Sequence, residues 1–171
     1  MTRRIVIIGA HAAGVEAASA ARKTDRQAEI TIITREKHPG YSRCGLPFVI
    51  GGQIPSFKDL IVFPPSYFQM MKIILKAETN VASLDTAERK VSTVSEDGQK
   101  ENIEYDSLII ATGASYFTPP IKGKEKQGVF SLRTLEDGIR IDQAIREGAK
   151  TAVVMGAGLI GLETGIALHE R

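Results

Sequence analysis

One local pattern occurs twice in this 171-residue chain and constrains most of what it can fold into. A short apolar run enters a glycine-rich turn, and a helix-forming stretch follows, at residues 5–24 and again at 152–170. Ile5-Val6-Ile7-Ile8 is a continuous β-branched run, as expected of a parallel strand buried on both faces. Beyond Gly9, the stretch from Ala12 to Lys23 combines small side chains with strong helix propensity. Ile30-Thr31-Ile32-Ile33 then reads as a second strand. Strand, helix and strand within roughly 30 residues make a βαβ unit.

The second copy, Ala152-Val153-Val154-Met155, reads as a strand and leads into Gly156-Ala157-Gly158-Leu159-Ile160-Gly161. This matches the dinucleotide fingerprint in full. The first glycine permits a tight turn, the second lets a pyrophosphate approach the backbone, and the third allows the helix to pack closely on the strand. The phosphates meet the open N–H groups at the helix amino end. The first copy, Gly9-Ala10-His11-Ala12-Ala13-Gly14, carries His11 at the central glycine position. His11 is read as a solvent-facing turn residue, the sharper alternative being a phosphate or flavin neighbour. The acid expected about 20 residues after the last glycine falls at Thr34, with Glu36 as a substitute if the loop bends back.

Between the two copies the pattern changes. Pro64-Pro65 opens a short helix through Ser66 to Lys72, with Pro65 near its first position. Residues 73–104 read as a small β insertion, clearest at Val81 to Leu84 and Val91 to Val94, with a Glu96-Asp97-Gly98 turn. Leu108-Ile109-Ile110 is a further buried strand ending in Ala111-Thr112-Gly113. Thr134 caps a helix from Leu135 to Glu147, with Asp137 three residues on as in a capping box. Residues 1–120 are expected to form one dinucleotide-binding domain, and residues 121–171 a connection and the incomplete start of a second. The fold class is α/β and Rossmann-like: a parallel sheet with a small antiparallel β insertion.

The formal net charge is only +2, and lysines and arginines alternate with acids, which argues against nucleic-acid binding. The amino-terminal apolar run is too short for a signal peptide or a membrane span. Cys44 is the only cysteine, so the chain has no internal disulfide framework and a reducing cytoplasm is its expected location. A lone cysteine is often a small buried apolar residue. The run Tyr41-Ser42-Arg43-Cys44-Gly45-Leu46-Pro47, after a strand and a glycine turn, suggests a redox thiol instead.

Taken together, these residues resemble the flavin- and pyridine-nucleotide-dependent disulfide reductases, and most closely the single-cysteine branch: coenzyme A disulfide reductase, NADH oxidase and NADH peroxidase. The matching pieces are the Gly9 to Gly14 turn, Ser42-Arg43-Cys44-Gly45-Leu46-Pro47-Phe48-Val49-Ile50-Gly51, Ala111-Thr112-Gly113 and the second turn through Glu163. They occur in the family's order along nearly the whole chain.

The resemblance implies that Gly9, Ala10, His11, Ala12, Ala13 and Gly14 hold the FAD pyrophosphate, while Thr34, Arg35 and Glu36 face the adenosine ribose. Ser42 also belongs to the cofactor site, Val81 presents backbone to adenine, and Ala111, Thr112 and Gly113 close the site. Arg133 matches a flavin-side arginine. Gly156, Gly158, Ile160, Gly161 and Glu163 belong to the NAD(P)H site. Cys44 is the implied redox sulfur, and Arg43 and Lys72 are implied substrate contacts. The cofactors are FAD and NAD(P)H, and the substrate is a small disulfide, persulfide or polysulfide, with coenzyme A a candidate.

Two departures bear on the substrate. Peroxidases and water-forming oxidases of this branch carry a histidine where this chain has Ala12. Glu16 and Ala20 differ from the polar residues that contact coenzyme A in its reductase. The resemblance also implies that the family's remaining NAD domain, closing FAD segment and dimer-forming domain would follow Arg171, which makes this chain an amino-terminal piece of a homodimeric enzyme. Alternatives are an NADH oxidase, a non-catalytic nucleotide-binding module with a redox-responsive thiol, and an empty domain.

Overall fold

The computed structural model describes residues 2–171. In chain order its elements are β1 (Arg4–Ile8), α1 (Ala12–Thr24), β2 (Glu29–Ile33), α2 (Leu46–Ile50), α3 (Pro65–Met70), β3 (Ile73–Lys76), β4 (Thr79–Asp85), β5 (Lys90–Ser95), β6 (Lys100–Glu104), β7 (Ser107–Ile110), α4 (Leu135–Arg146) and α5 (Leu159–Glu170). They fall into two compact units, one of residues 1–41 and 62–113, the other of residues 42–61 and 114–171.

The first unit is built on a four-stranded sheet in the order β3-β2-β1-β7, with every pairing parallel. The two-residue alternation of strands sends neighbouring side chains to opposite faces. Ile5, Ile7, Ile30 and Ile32 therefore meet Val15 and Ala18 of α1 and Phe68 of α3 on one side. Val6 and Ile33 point the other way, to Val91 and Tyr105 beside the antiparallel sheet β4-β5-β6. Ile7, Ile30 and Ile32 are fully buried, each contributing about 1.5–3 kcal/mol by removal from water. The expected α/β class, a parallel sheet with a small antiparallel one, is what the chain adopts.

In the second unit, short helices pack through glycines. A Cβ on Gly138 of α4 would lie 2.7 Å from the Phe57 ring and 3.2 Å from a Leu46 methyl. Gly51, just past α2, has the same role against Ala167 of α5, at 3.1 Å. The capping box at α4 is complete. Asp137 N donates to Thr134 Oγ1 at 3.2 Å, and Thr134 N donates to Asp137 Oδ2 at 2.9 Å. Pro65 opens α3 as expected.

Two expectations need correction. Ile73–Lys76, expected within the β insertion, pair in parallel with Ile30–Ile33 in the main sheet. The antiparallel part begins at Thr79. A short apolar run fits either place, and only the neighbouring strand decides. Ala152-Val153-Val154-Met155 is not a strand. Among the described residues no ladder partner lies beside it, and Val153 and Met155 are exposed.

Candidate functional site

The first glycine turn owes its shape to residues that have no Cβ. Gly9 has φ +113°, a conformation only glycine adopts without strain. A Cβ there would lie 2.1 Å from the Ala111 carbonyl oxygen, and one on Gly14 would lie 1.9 Å from the Gly9 carbonyl oxygen. Ala111 N donates to Ile8 O at 2.8 Å, which sets the Ala111-Thr112-Gly113 segment against the turn. Nothing on the side chains caps α1, and no acid sits in its first turn. The first N–H groups of a helix lack intrahelical partners, so this end suits an anion such as pyrophosphate.

The second turn repeats that geometry. Gly156 also has φ +113°, and a Cβ on Gly161 would lie 2.0 Å from the Gly156 carbonyl oxygen. Val15 N donates to His11 O at 2.9 Å in the first turn, and Leu162 N donates to Gly158 O at 3.0 Å in the second. His11 and Gly158 are therefore structural equivalents. α5 likewise has no side-chain cap and no first-turn acid.

His11 does not point into solvent, contrary to expectation. Its side chain is 20% exposed, and Nε2 lies 2.8 Å from Glu36 Oε2. Tyr41 donates its hydroxyl to the same oxygen at 3.2 Å, and the His11 and Tyr41 rings meet edge to face with centroids 4.7 Å apart. Gly40 N donates to Ala10 O at 2.8 Å, so the loop after β2 does bend back to the turn. Thr34 is buried. Its hydroxyl accepts the Glu36 N–H at 3.2 Å, and its backbone continues the sheet through Lys76 O and Thr79 N. Arg35 is exposed, and Val81 is half-buried against Val6 and Ile33. The first unit thus brings together residues 9–14, 34–36 and 111–113, while Val81 is placed by its packing on the cluster that holds Val6 and Ile33.

Lys72, also in the first unit, is exposed with φ +50°. Its carbonyl accepts from Arg22 Nη2 at 2.7 Å, and the same guanidinium donates to Met71 O and Ala28 O. That peg between α1 and the end of α3 had no sequence signal, because its acceptors are all backbone.

In the second unit, Cys44 is an exposed free thiol in the 3₁₀ turn Arg43–Gly45 that precedes α2. Ser42 N donates to Leu60 O at 2.8 Å. A Cβ on Gly45 would lie 2.3 Å from a Leu60 methyl, so this turn is seated on Leu60. Being exposed, Cys44 is not one of the buried core residues of this chain. Arg133 N donates to Asp137 Oδ2 at 3.1 Å, ahead of the α4 cap. Ile160 and Glu163 are exposed on α5.

A family model described as pyridine nucleotide-disulphide oxidoreductase matches residues 3–171. The chain belongs to this family. The resemblance read from the sequence and its cofactor expectation, FAD with NAD(P)H, agree with that membership. Among relatives, an NADH oxidase of Methanocaldococcus jannaschii is 45% identical over 98% of this chain. A coenzyme A disulfide reductase of Staphylococcus haemolyticus is 34% identical over 99%. The chain spans 38% of the length of each. Among solved structures, an NAD-dependent persulfide reductase from A. fulgidus superposes with a TM-score of 0.94 at 37% identity, covering 98% of this chain and 32% of that one. Among the described residues, no helix is long and apolar enough to cross a membrane.

Proposed function

We propose that this chain is the FAD-side portion of an NAD(P)H-dependent oxidoreductase that reduces a small disulfide, persulfide or polysulfide through Cys44. The observation that carries the reading is the single cysteine, exposed and held in a short turn, in a chain with two geometrically matched dinucleotide turns. In this reading residues 1–120 form the FAD domain, and residues 121–171 lead into the NAD(P) domain.

The open amino end of α1 takes the pyrophosphate, with Gly9 and Gly14 allowing close approach. Thr34, Arg35 and Glu36 serve the adenosine ribose, Val81 serves the adenine, and Ala111-Thr112-Gly113 closes the site. Ser42 is assigned to the cofactor site and Arg133 to its flavin side. The α5 end, with Gly156, Gly158, Ile160, Gly161 and Glu163, takes NAD(P)H. FAD, when bound, supplies the passage of an electron pair from nicotinamide to sulfur. Cys44 Sγ attacks one sulfur of the substrate, the sulfur–sulfur bond breaks, and the outgoing sulfur leaves as a thiol. The electron pair with two protons would then cleave the bond between Cys44 Sγ and the retained sulfur, releasing a second thiol from a disulfide, or hydrogen sulfide from a persulfide, and restoring Cys44. Arg43 and Lys72 are assigned to the substrate.

Coenzyme A disulfide is one candidate substrate, supported by the Staphylococcus relative. A persulfide is supported by the A. fulgidus structure. A second reading, NADH oxidase, is favoured by the 45% identity to the Methanocaldococcus protein. The three separate in one assay: NADH consumption with FAD present, with oxygen, coenzyme A disulfide or a persulfide as sole acceptor. Consumption dependent on a sulfur acceptor and lost in Cys44→Ser supports the proposal. Consumption with oxygen alone that survives Cys44→Ser overturns it in favour of the oxidase.

A further inference from the structure

We propose that His11 is a positioning residue for the adenosine ribose: its imidazole holds the Glu36 carboxylate in place and so couples the pyrophosphate turn to the ribose loop. The inference rests on the reading of the first turn as the FAD site.

His11 stands where the fingerprint has its central glycine, and in the second turn the equivalent residue is Gly158. A side chain at this position is expected to obstruct the phosphate path. The structure avoids that by turning the ring onto the loop after β2, 2.8 Å from Glu36 Oε2. A carboxylate only accepts, so Nε2 is the ring nitrogen that carries the proton. Nδ1 is buried with no hydrogen-bond partner, so the polar reach of the ring is directed to Glu36. Tyr41 adds a second donor to the same oxygen and backs the ring edge to face. The Gly40 N–H to Ala10 carbonyl bond closes the turn against the loop. Thr34, at the position expected for the ribose acid, is buried and accepts the Glu36 N–H. Glu36 is thus the carboxylate the fold offers beside the turn, and His11 fixes where it sits.

The test is titration of the chain with FAD and with FAD lacking the adenosine 2′-hydroxyl, followed by flavin fluorescence. Wild type should prefer FAD by on the order of tenfold, the worth of a hydrogen bond to a charged group. Glu36→Gln and His11→Ala should each remove most of that preference. The double variant should do no more than either single one, because residues acting through one contact are not additive. His11→Gln, whose amide nitrogen reaches as far as Nε2, should restore it. Equal weakening of both flavins in His11→Ala, with the preference intact, would mean that His11 only packs the turn. If His11→Ala does not fold, His11→Gln and Glu36→Gln carry the test, and preference lost in the first or kept in the second overturns the proposal. No binding of either flavin by wild type would instead remove the FAD reading itself, and this inference with it.

Discussion

Gly9 and Ala111 touch across the sheet: the Cβ that Gly9 lacks would lie 2.1 Å from the Ala111 carbonyl oxygen. The strand-to-helix turn and the end of β7 are therefore one structural feature, although about a hundred residues of chain separate them. Gly9→Ala adds this clash to a φ of +113°. The variant should be destabilised by at least about 2 kcal/mol, read as a lower urea midpoint with an unchanged slope.

A second prediction concerns acid stability. Arg4 donates to Glu104 at 2.6 Å and to Asp106 at 3.2 Å, and its own N–H reaches Asp106 at 2.7 Å. The hydrogen bond from Arg4 holds both carboxyls below their ordinary range. Their contribution is therefore present above the unfolded carboxyl values of about 4 and is lost as pH falls through the lower folded values. Arg4→Met should flatten that acid limb of stability against pH and leave its shape near pH 7 unchanged. An acid limb as steep as wild type would contradict the assignment. Because the pairs are exposed, added salt should shrink the effect.

The α4 cap gives a third. Thr134→Ala removes one half of a reciprocal pair and should cost about 1 kcal/mol. Asp137→Ala should cost more. Its buried carboxylate also receives Arg133 N and the Arg140 guanidinium. Paired urea titrations give the ranking directly.

Much of this fold was legible. Ile5–Ile8 and Ile30–Ile33 announced themselves as parallel strands because β-branched runs with no polar alternation need cover on both faces. Thr134 and Asp137 announced a helix start because the capping box is a local contact. Ile73–Lys76 were harder: a short apolar run has no period of its own, and β2 decided its place. Ala152–Met155 carry strand-forming residues, yet a strand exists only with a hydrogen-bonded neighbour. The His11–Glu36 pair was hidden for a different reason. The residues are 25 apart in sequence, and only the folding-back of the loop after β2 brings them together.

The apolar surface of the second unit makes a fourth prediction. Val153, Met155, Leu159, Ile160, Leu162 and Ile166 are all exposed, and exposed apolar surface of this kind favours association. The chain should self-associate with rising concentration, seen by sedimentation velocity. Replacing Leu159 and Ile166 with lysine should restore a monomer. A monodisperse wild-type monomer at high concentration would contradict this.

Cys44→Ser is the simplest variant to interpret. The thiol is exposed, so the change should leave stability within about 0.5 kcal/mol while removing all alkylation by iodoacetamide. A wild-type chain that resists alkylation in its native state, but not in urea, would show Cys44 to be shielded.

The central claim is that the Gly9–Gly14 turn holds FAD, and equilibrium binding of FAD to the chain in the presence of NADH tests it most directly. The account predicts saturable binding of one flavin per chain, undiminished by NADH and lost in Gly14→Val, whose side chain would meet the Gly9 carbonyl. Displacement of FAD by NADH, or flavin binding that is unaffected by Gly14→Val, would contradict it.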